Sequence, residues 1–195
     1  NQGDAGKVTV STEGLVELSG NRTFDLPDGN GNIISVTRAP VISTTVGAGA
    51  IGQGGSIEIE GGSLILDNAA SLNTTTSGNA DAEGNPSNAG PISISVTDSD
   101  ALNQGAQLRS DTSGIGDAGD INLTAGGTVN IDGIELINDQ LNPSGIGSSV
   151  RVDVGQVNGT PVVLEGIGDA GTITIDAASF SLTNGASIES ATFNQ

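Results

Sequence analysis

The sequence predicts an all-β parallel β-helix, a rod of stacked coils, and three regularities point to it. A four-residue phrase closing on glycine recurs as Gly3-Asp4-Ala5-Gly6, Gly52-Gln53-Gly54-Gly55, Ser87-Asn88-Ala89-Gly90, Gly116-Asp117-Ala118-Gly119 and Gly168-Asp169-Ala170-Gly171. After each copy comes a period-two alternation: Val8 and Val10, Ile57 and Ile59, Ile92 and Ile94, Ile121 and Leu123, Ile173 and Ile175. Such a period marks a half-buried strand. A second pair follows, Val16 and Leu18, Leu64 and Leu66, Val129 and Ile131, Phe180 and Leu182, with Asp100 in place of the first member beside Leu102. Six residues past the second member stands one more apolar residue: Phe24, Leu72, Leu108, Ile137 and Ile188.

Each unit therefore reads as three short strands separated by turns. One such unit cannot bury its apolar face alone, whereas stacked units bury a continuous column. The closing glycines Gly6, Gly55, Gly90, Gly119 and Gly171 stand 49, 35, 29 and 52 residues apart, which gives about five coils with a minimal unit of 29 residues. Coils are expected to start near residues 3, 52, 87, 116 and 168, as one segment over 1–195 of a longer repeat array. A β-sandwich is the competing fold; it predicts hairpins at regular spacing but no recurrence of one phrase in register. Stacking also suggests a structural ladder at the turns, formed by Asp4, Gln53, Asn88, Asp117 and Asp169 at the second position of the phrase and by Asn68, Gln104 and Asn184 at the second turn.

From closing glycine to third site the count is 17 or 18 residues throughout, but from third site to the next glycine it runs from 11 to 34. The expectation is that insertions, at about 25–50 and 138–166, project from one corner. Two of them read as hairpins, around Pro27-Asp28-Gly29-Asn30-Gly31-Asn32 and around Asn158-Gly159, the latter joining Val150–Val154 to Val162–Leu164.

Composition narrows the chemistry. The 195 residues include 5 Lys or Arg against 23 Asp or Glu, a net charge of −18, and no Cys, His, Met, Trp or Tyr. Thiol nucleophiles, disulfides, imidazole bases and His or Cys metal sites are excluded. With Lys7, Arg22, Arg38, Arg109 and Arg151 as the only cations, no basic stripe exists to neutralise phosphates, and nucleic acid is excluded as a partner. No apolar run approaches the roughly 18 residues of a membrane span. Calcium is the one cation worth weighing, because aligned carboxylates offer oxygen ligands; no EF-hand or GGxGxD nonapeptide recurs, so no cofactor or metal is expected.

GDAG followed by alternating Ile or Val, then S-[LF]-x-L-x-N-G-A-S-[IL], and a GIG phrase before the next unit, is a combination that resembles the repeat region of filamentous haemagglutinin-type exoproteins, especially cyanobacterial ones. Gly168 to Phe193, GDAGTITIDAASFSLTNGASIESATF, carries the best match, with Gly116 to Ile131 next. The resemblance implies a right-handed parallel β-helix, export through an outer-membrane secretion partner, and a secreted place at the bacterial cell surface or in extracellular matrix. It implies a structural or adhesive shaft without catalysis, in contact with neighbouring copies end to end and with surface glycans. The alternative is a glycan-binding or glycan-cleaving protein of the tailspike or pectate-lyase kind, for which Asp98, Asp100, Arg109 and Asp111 are the nearest catalytic candidates. The absence of Trp and Tyr leaves no platform to stack a sugar, so no enzyme activity is expected.

Overall fold

In the computed structural model, residues 2–80, 82–157, 160–164 and 166–193 are described, and every regular element among them is a β-strand. The first unit supplies β1 (Val8–Ser11), β2 (Leu15–Leu18), β3 (Arg22–Pro27), β4 (Ile33–Arg38) and β5 (Val41–Val46). The second supplies β6 (Ile57–Gly61), β7 (Ser63–Leu66) and β8 (Ser71–Thr76), and the third β9 (Ile92–Val96), β10 (Asp100–Asn103) and β11 (Gln107–Thr112). Next come β12 (Ile121–Asp132), β13 (Ile134–Ile137), β14 (Gln140–Pro143), β15 (Gly145–Val150), β16 (Asp153–Val157) and β17 (Thr160–Leu164). The last unit is β18 (Ile173–Thr183) and β19 (Ser187–Thr192).

Like positions pair with like. Val8, Ile57, Ile92, Ile121 and Ile173 form one parallel row, and Val16, Leu64, Asp100, Val129 and Phe180 another. The architecture nevertheless corrects the expected right-handed parallel β-helix of about five coils. Its largest sheet has eight strands in the order β1-β6-β9-β12-β10-β7-β2, with β18 on the far side of β12, so what were read as two separate strand stacks form one curled half-barrel. The cause is local. β12 runs unbroken from one arm to the other through Gly126-Gly127, where the register against β18 slips between Ala125 and Thr128. A Cβ on Gly126 would sit 2.1 Å from the Thr97 carbonyl oxygen, so only glycine lets the strand bend there against its neighbour. A second, five-stranded parallel sheet in the order β19-β15-β11-β8-β5 faces the curled one, and three two-stranded sheets, β3-β4, β13-β14 and β16-β17, are antiparallel.

The single insertion corner is corrected as well. The third sites of the first and fourth units are Ile42 and Ile146, which align with Leu72, Leu108 and Ile188. Phe24 and Ile137, expected in that row, lie instead in the hairpins β3-β4 and β13-β14, which enter between the second and third strands of their units. The spans 25–50 and 138–166 therefore each contain a core strand, β5 and β15. Of the three hairpins, only β16-β17 enters after a third strand. The Asn158-Gly159 turn lies outside the described residues, though the strands that flank it pair antiparallel.

The core sits between the two large sheets. Ile57, Ile59, Leu64, Leu66, Leu72, Ile92, Leu102, Leu108, Ile121, Leu123, Ile131 and Ile146 are buried almost completely. Beside this apolar column runs a hydroxyl row, two residues past each third site: Thr44, Thr74, Ser110 and Ser148, which are buried, and Ser190, which is exposed on β19. Thr44 Oγ1 donates to the Gly55 carbonyl at 3.0 Å, Thr74 Oγ1 to Gly90 at 2.6 Å, Ser148 Oγ to Gly119 at 2.9 Å and Ser190 Oγ to Gly171 at 2.8 Å. Those closing glycines also approach one another. A Cβ on Gly90 would stand 2.0 Å from the Gly55 oxygen, and one on Gly119 would stand 2.3 Å from the Gly90 oxygen. The hydroxyl row thus satisfies carbonyls that burial would otherwise leave costly.

At the second turn the chain reverses through left-handed backbone. Asn184-Gly185 has φ of 52° and 85°, Gln104-Gly105 47° and 81°, and Asn68-Ala69 54° and 56°. Alanine is strained there by about 1–2 kcal/mol. Ala69→Gly should therefore be neutral or stabilising by about 0.5 kcal/mol after glycine's extra freedom in the unfolded chain is offset. Gly185→Ala should destabilise, since its Cβ would fall 2.6 Å from Ile134 Cδ1. Chemical denaturation of the pair reads the opposite signs. In the column, Ile121→Asp places an unpaired charge between Ile92 and Ile173 and should cost on the order of 4 kcal/mol in thermal or urea unfolding; an unchanged midpoint would refute the burial of this row.

Candidate functional site

The phrase turns lie on the surface, and their contacts run from side chain to backbone. Asp4 Oδ1 accepts from the Gln53 backbone N–H at 2.8 Å, Asn88 Oδ1 from that of Asp117 at 2.9 Å, and Asp117 Oδ1 from that of Asp169 at 2.8 Å. Gln53 Nε2 donates to the Pro86 carbonyl at 2.7 Å. At the second turn, Asn184 Nδ2 donates to Asp132 Oδ1 at 2.6 Å, the Gln104 carbonyl accepts from the Ala69 N–H at 2.7 Å, and the Asn68 N–H donates to Asp67 Oδ1 at 2.9 Å. Apart from the Asn68 bond, which is local, these contacts hold successive units together. Among the described residues, no group of three or more His, Cys, Asp or Glu could hold a metal ion.

The four carboxylate and arginine candidates are not brought to one place. Asp98 is exposed in the bend before β10. Asp100 points into the core row between Leu64 and Val129, 1% exposed. Arg109 and Asp111, two residues apart on β11, lie on the outer face of the five-stranded sheet, because Leu108 and Ser110 take the inner one. There Arg109 Nε donates to Asp111 Oδ2 at 2.7 Å, and Arg151 Nη2 reaches Asp111 Oδ1 at 3.3 Å. Two guanidiniums share one carboxylate that is itself buried. Arg109 is steadied from its other side by Gln107 Oε1 at 3.4 Å. Sequence reasoning placed Arg109 and Asp111 together, but Arg151 joins them only because β15 aligns with β11 in the sheet.

A shallow cavity of about 160 Å³ opens beside this triad, bounded by Arg109, Arg151, Gly145, Gly147, Ser187 and Glu189. A second, of about 310 Å³, borders the same two arginines and is walled by Thr75, Ser77 and Ser113. Both are lined by hydroxyls, amides and charge. No protein-family model, curated protein or solved structure matches the chain.

Among the described residues, Asp100 is the one strongly perturbed group. Burial dominates and pushes its pKa up to about 7, the Ala101 backbone N–H pulling weakly the other way; neither carboxyl oxygen has a hydrogen bond of good geometry. Since the folded pKa lies above the unfolded value of 3.8, the stability linked to this proton is fully present below about pH 4 and is lost as pH rises through about 7, a swing on the order of 4 kcal/mol. Asp100→Leu, which matches Leu64 in the same row, should raise the melting temperature much more at pH 8 than at pH 4. Equal gains at both pH values would show that Asp100 does not hold a proton in the fold.

Proposed function

We propose that this chain is a structural and adhesive element of a secreted surface exoprotein or extracellular fibre and performs no catalysis. The observation that carries this reading is the open parallel edge at each end of the stack. β1, β2 and β5 end the sheets on one side, and β18 and β19 on the other. Their apolar side chains are only partly covered: Val8, Val10 and Leu18 at the first edge, Ile173, Ile175 and Ile188 at the second. A further unit bearing the same row of Val, Ile and Leu would continue both sheets and the core between them. The resemblance to filamentous haemagglutinin-type repeats belongs to this proposal, as do export through an outer-membrane partner and a place at the cell surface or in matrix.

Association of copies end to end is opposed by the charge of −18 and is favoured when salt screens it. Small-angle scattering at rising salt should then show particles that lengthen without thickening. Leu182→Lys, placing a charge on the exposed edge strand β18, should suppress the growth. Particles that stay monomeric at every salt and concentration would contradict the fibre role. Polygalacturonate and alginate should yield no cleavage products with or without calcium; product release abolished by changing Asp98 or Arg109 would establish the glycan-cleaving alternative instead.

A further inference from the structure

Gly147 is a glycine that neither packing nor backbone requires. In this molecule most glycines of the sheets are forced: Gly145, two residues earlier in β15, would place a Cβ 2.4 Å from the Ser187 carbonyl oxygen. A Cβ on Gly147 would meet nothing within 4 Å, and its φ is that of ordinary strand. Glycine inside a strand weakens it and goes with a bulge, a bend or the close approach of a ligand or another backbone; β15 keeps unbroken register with β11 and β19 through Gly147, and no backbone comes near it, which leaves the approach of a ligand.

The surroundings say what kind of molecule. Across the outer face of the five-stranded sheet one row reads Ser43, Asn73, Arg109, Gly147, Glu189. At about 4.8 Å per strand, the missing side chain leaves a notch with Arg109 on one wall and Glu189 on the other, their Cα atoms roughly 10 Å apart. Arg151 closes the same cavity. Arg109 and Arg151 are 29% and 33% exposed and, among the described residues, have only Asp111 between them as an ion-pair partner. Arg151 Nε is buried without any hydrogen-bond partner. Glu189 has no ion-pair partner among the described residues. One wall therefore offers forked N–H donors and spare positive charge; the other offers an acceptor for hydroxyl groups.

We propose that the Gly147 notch binds a single hexuronate residue, its carboxylate on the Arg109–Arg151 pair and a ring hydroxyl donating to Glu189. A planar carboxylate matches the guanidinium fork. The cavity, at about 160 Å³, is smaller than the roughly 300–1,000 Å³ of ordinary small-molecule pockets and suits one ring. With no Trp or Tyr in the chain, charge and hydrogen bonds hold the ring in place of stacking. The −18 field opposes a long polyanion, so recognition is of one residue at a time. This assignment deepens the adhesive half of the proposed function and rests on it. Its test reads ligand binding and the scattering experiment reads assembly, so either can fail alone.

The experiment titrates the ¹⁵N-labelled chain at low ionic strength with sodium glucuronate, glucose, sodium acetate and sodium sulfate, following the amides of β11, β15 and β19 by NMR. Glucuronate should shift those amides saturably, with acetate and sulfate at least about tenfold weaker and glucose silent. Gly147→Gln, whose Cβ meets nothing within 4 Å and whose side chain occupies the notch, should keep the spectrum of the folded chain and weaken glucuronate at least about tenfold. Arg151→Gln should do the same through loss of charge. Trigalacturonate distinguishes a polymer-derived from a free ligand: binding no tighter than the monomer fits a one-residue site, and a large gain would overturn it. The proposal also fails if glucuronate does not bind, if glucose or acetate binds equally well, or if Gly147→Gln leaves binding unchanged.

Discussion

The close approach of backbone to backbone at the closing glycines is the constraint on which everything else rests. Gly55, Gly90, Gly119 and Gly171 lie one above the other with no room for a Cβ between them, and the first three are buried, their carbonyls shut away from water. A buried carbonyl without a partner costs free energy comparable to a lost hydrogen bond. The hydroxyls of Thr44, Thr74, Ser110, Ser148 and Ser190 meet that need from the opposite sheet. Ser110 and Ser148 act twice, also accepting from the Gly119 and Gly171 N–H groups at 2.8 and 2.9 Å. One hydroxyl per unit thereby ties the five-stranded sheet to the phrase that begins the curled one. The Val, Ile and Leu column fills the space that these ties set.

Because the inner faces are committed to that arrangement, function is left to the outer faces and the hairpins. The hairpins are not independent. Asn138, at the tip of β13-β14, takes the Thr37 N–H at 3.1 Å and donates to the Thr37 carbonyl at 3.1 Å, so it pairs with β4 as a short strand would. Residues 101 positions apart are joined in this way, and the unpaired edge of β4 is covered at that point. The outer face of the five-stranded sheet keeps polar rungs, and in one place lacks a rung altogether. An acidic surface with a local pair of arginines discourages most polyanions while leaving one place where a single carboxylate is welcome.

Reading order along the chain was enough to align most of the core. The glycine phrase and the two alternating pairs name the rows of the curled sheet residue by residue, including the anomaly at Asp100, because in-register parallel stacking places equal positions together and selects equal side chains for them. The hydroxyl row was equally present, as an apolar residue followed two later by Ser or Thr in Ile42-Ser43-Thr44, Leu72-Asn73-Thr74, Leu108-Arg109-Ser110, Ile146-Gly147-Ser148 and Ile188-Glu189-Ser190. The sequence does not mark it as a core row, because a hydroxyl carries no hydropathy signal until its partner carbonyl is buried.

Phe24 and Ile137 fell into the wrong row for a physical reason. A hairpin strand and a core strand share the same period of two, so spacing alone could not say which apolar residue faces the column; only the paired registers of Ile42 and Ile146 decide it. Likewise the stretch between the two alternating pairs reads as a turn in sequence, yet β12 runs straight through it at Gly126-Gly127, as β18 does at Ala177-Ala178, and two stacks merge into one curled sheet. The meeting of Arg151 with Arg109 and Asp111 depends on strand order, which places residues 40 apart side by side. Local pattern, set by which side chains tolerate burial, was therefore the sequence's own to determine, while the bend, the hairpin positions and the arginine pair are consequences of which strands lie next to one another in space.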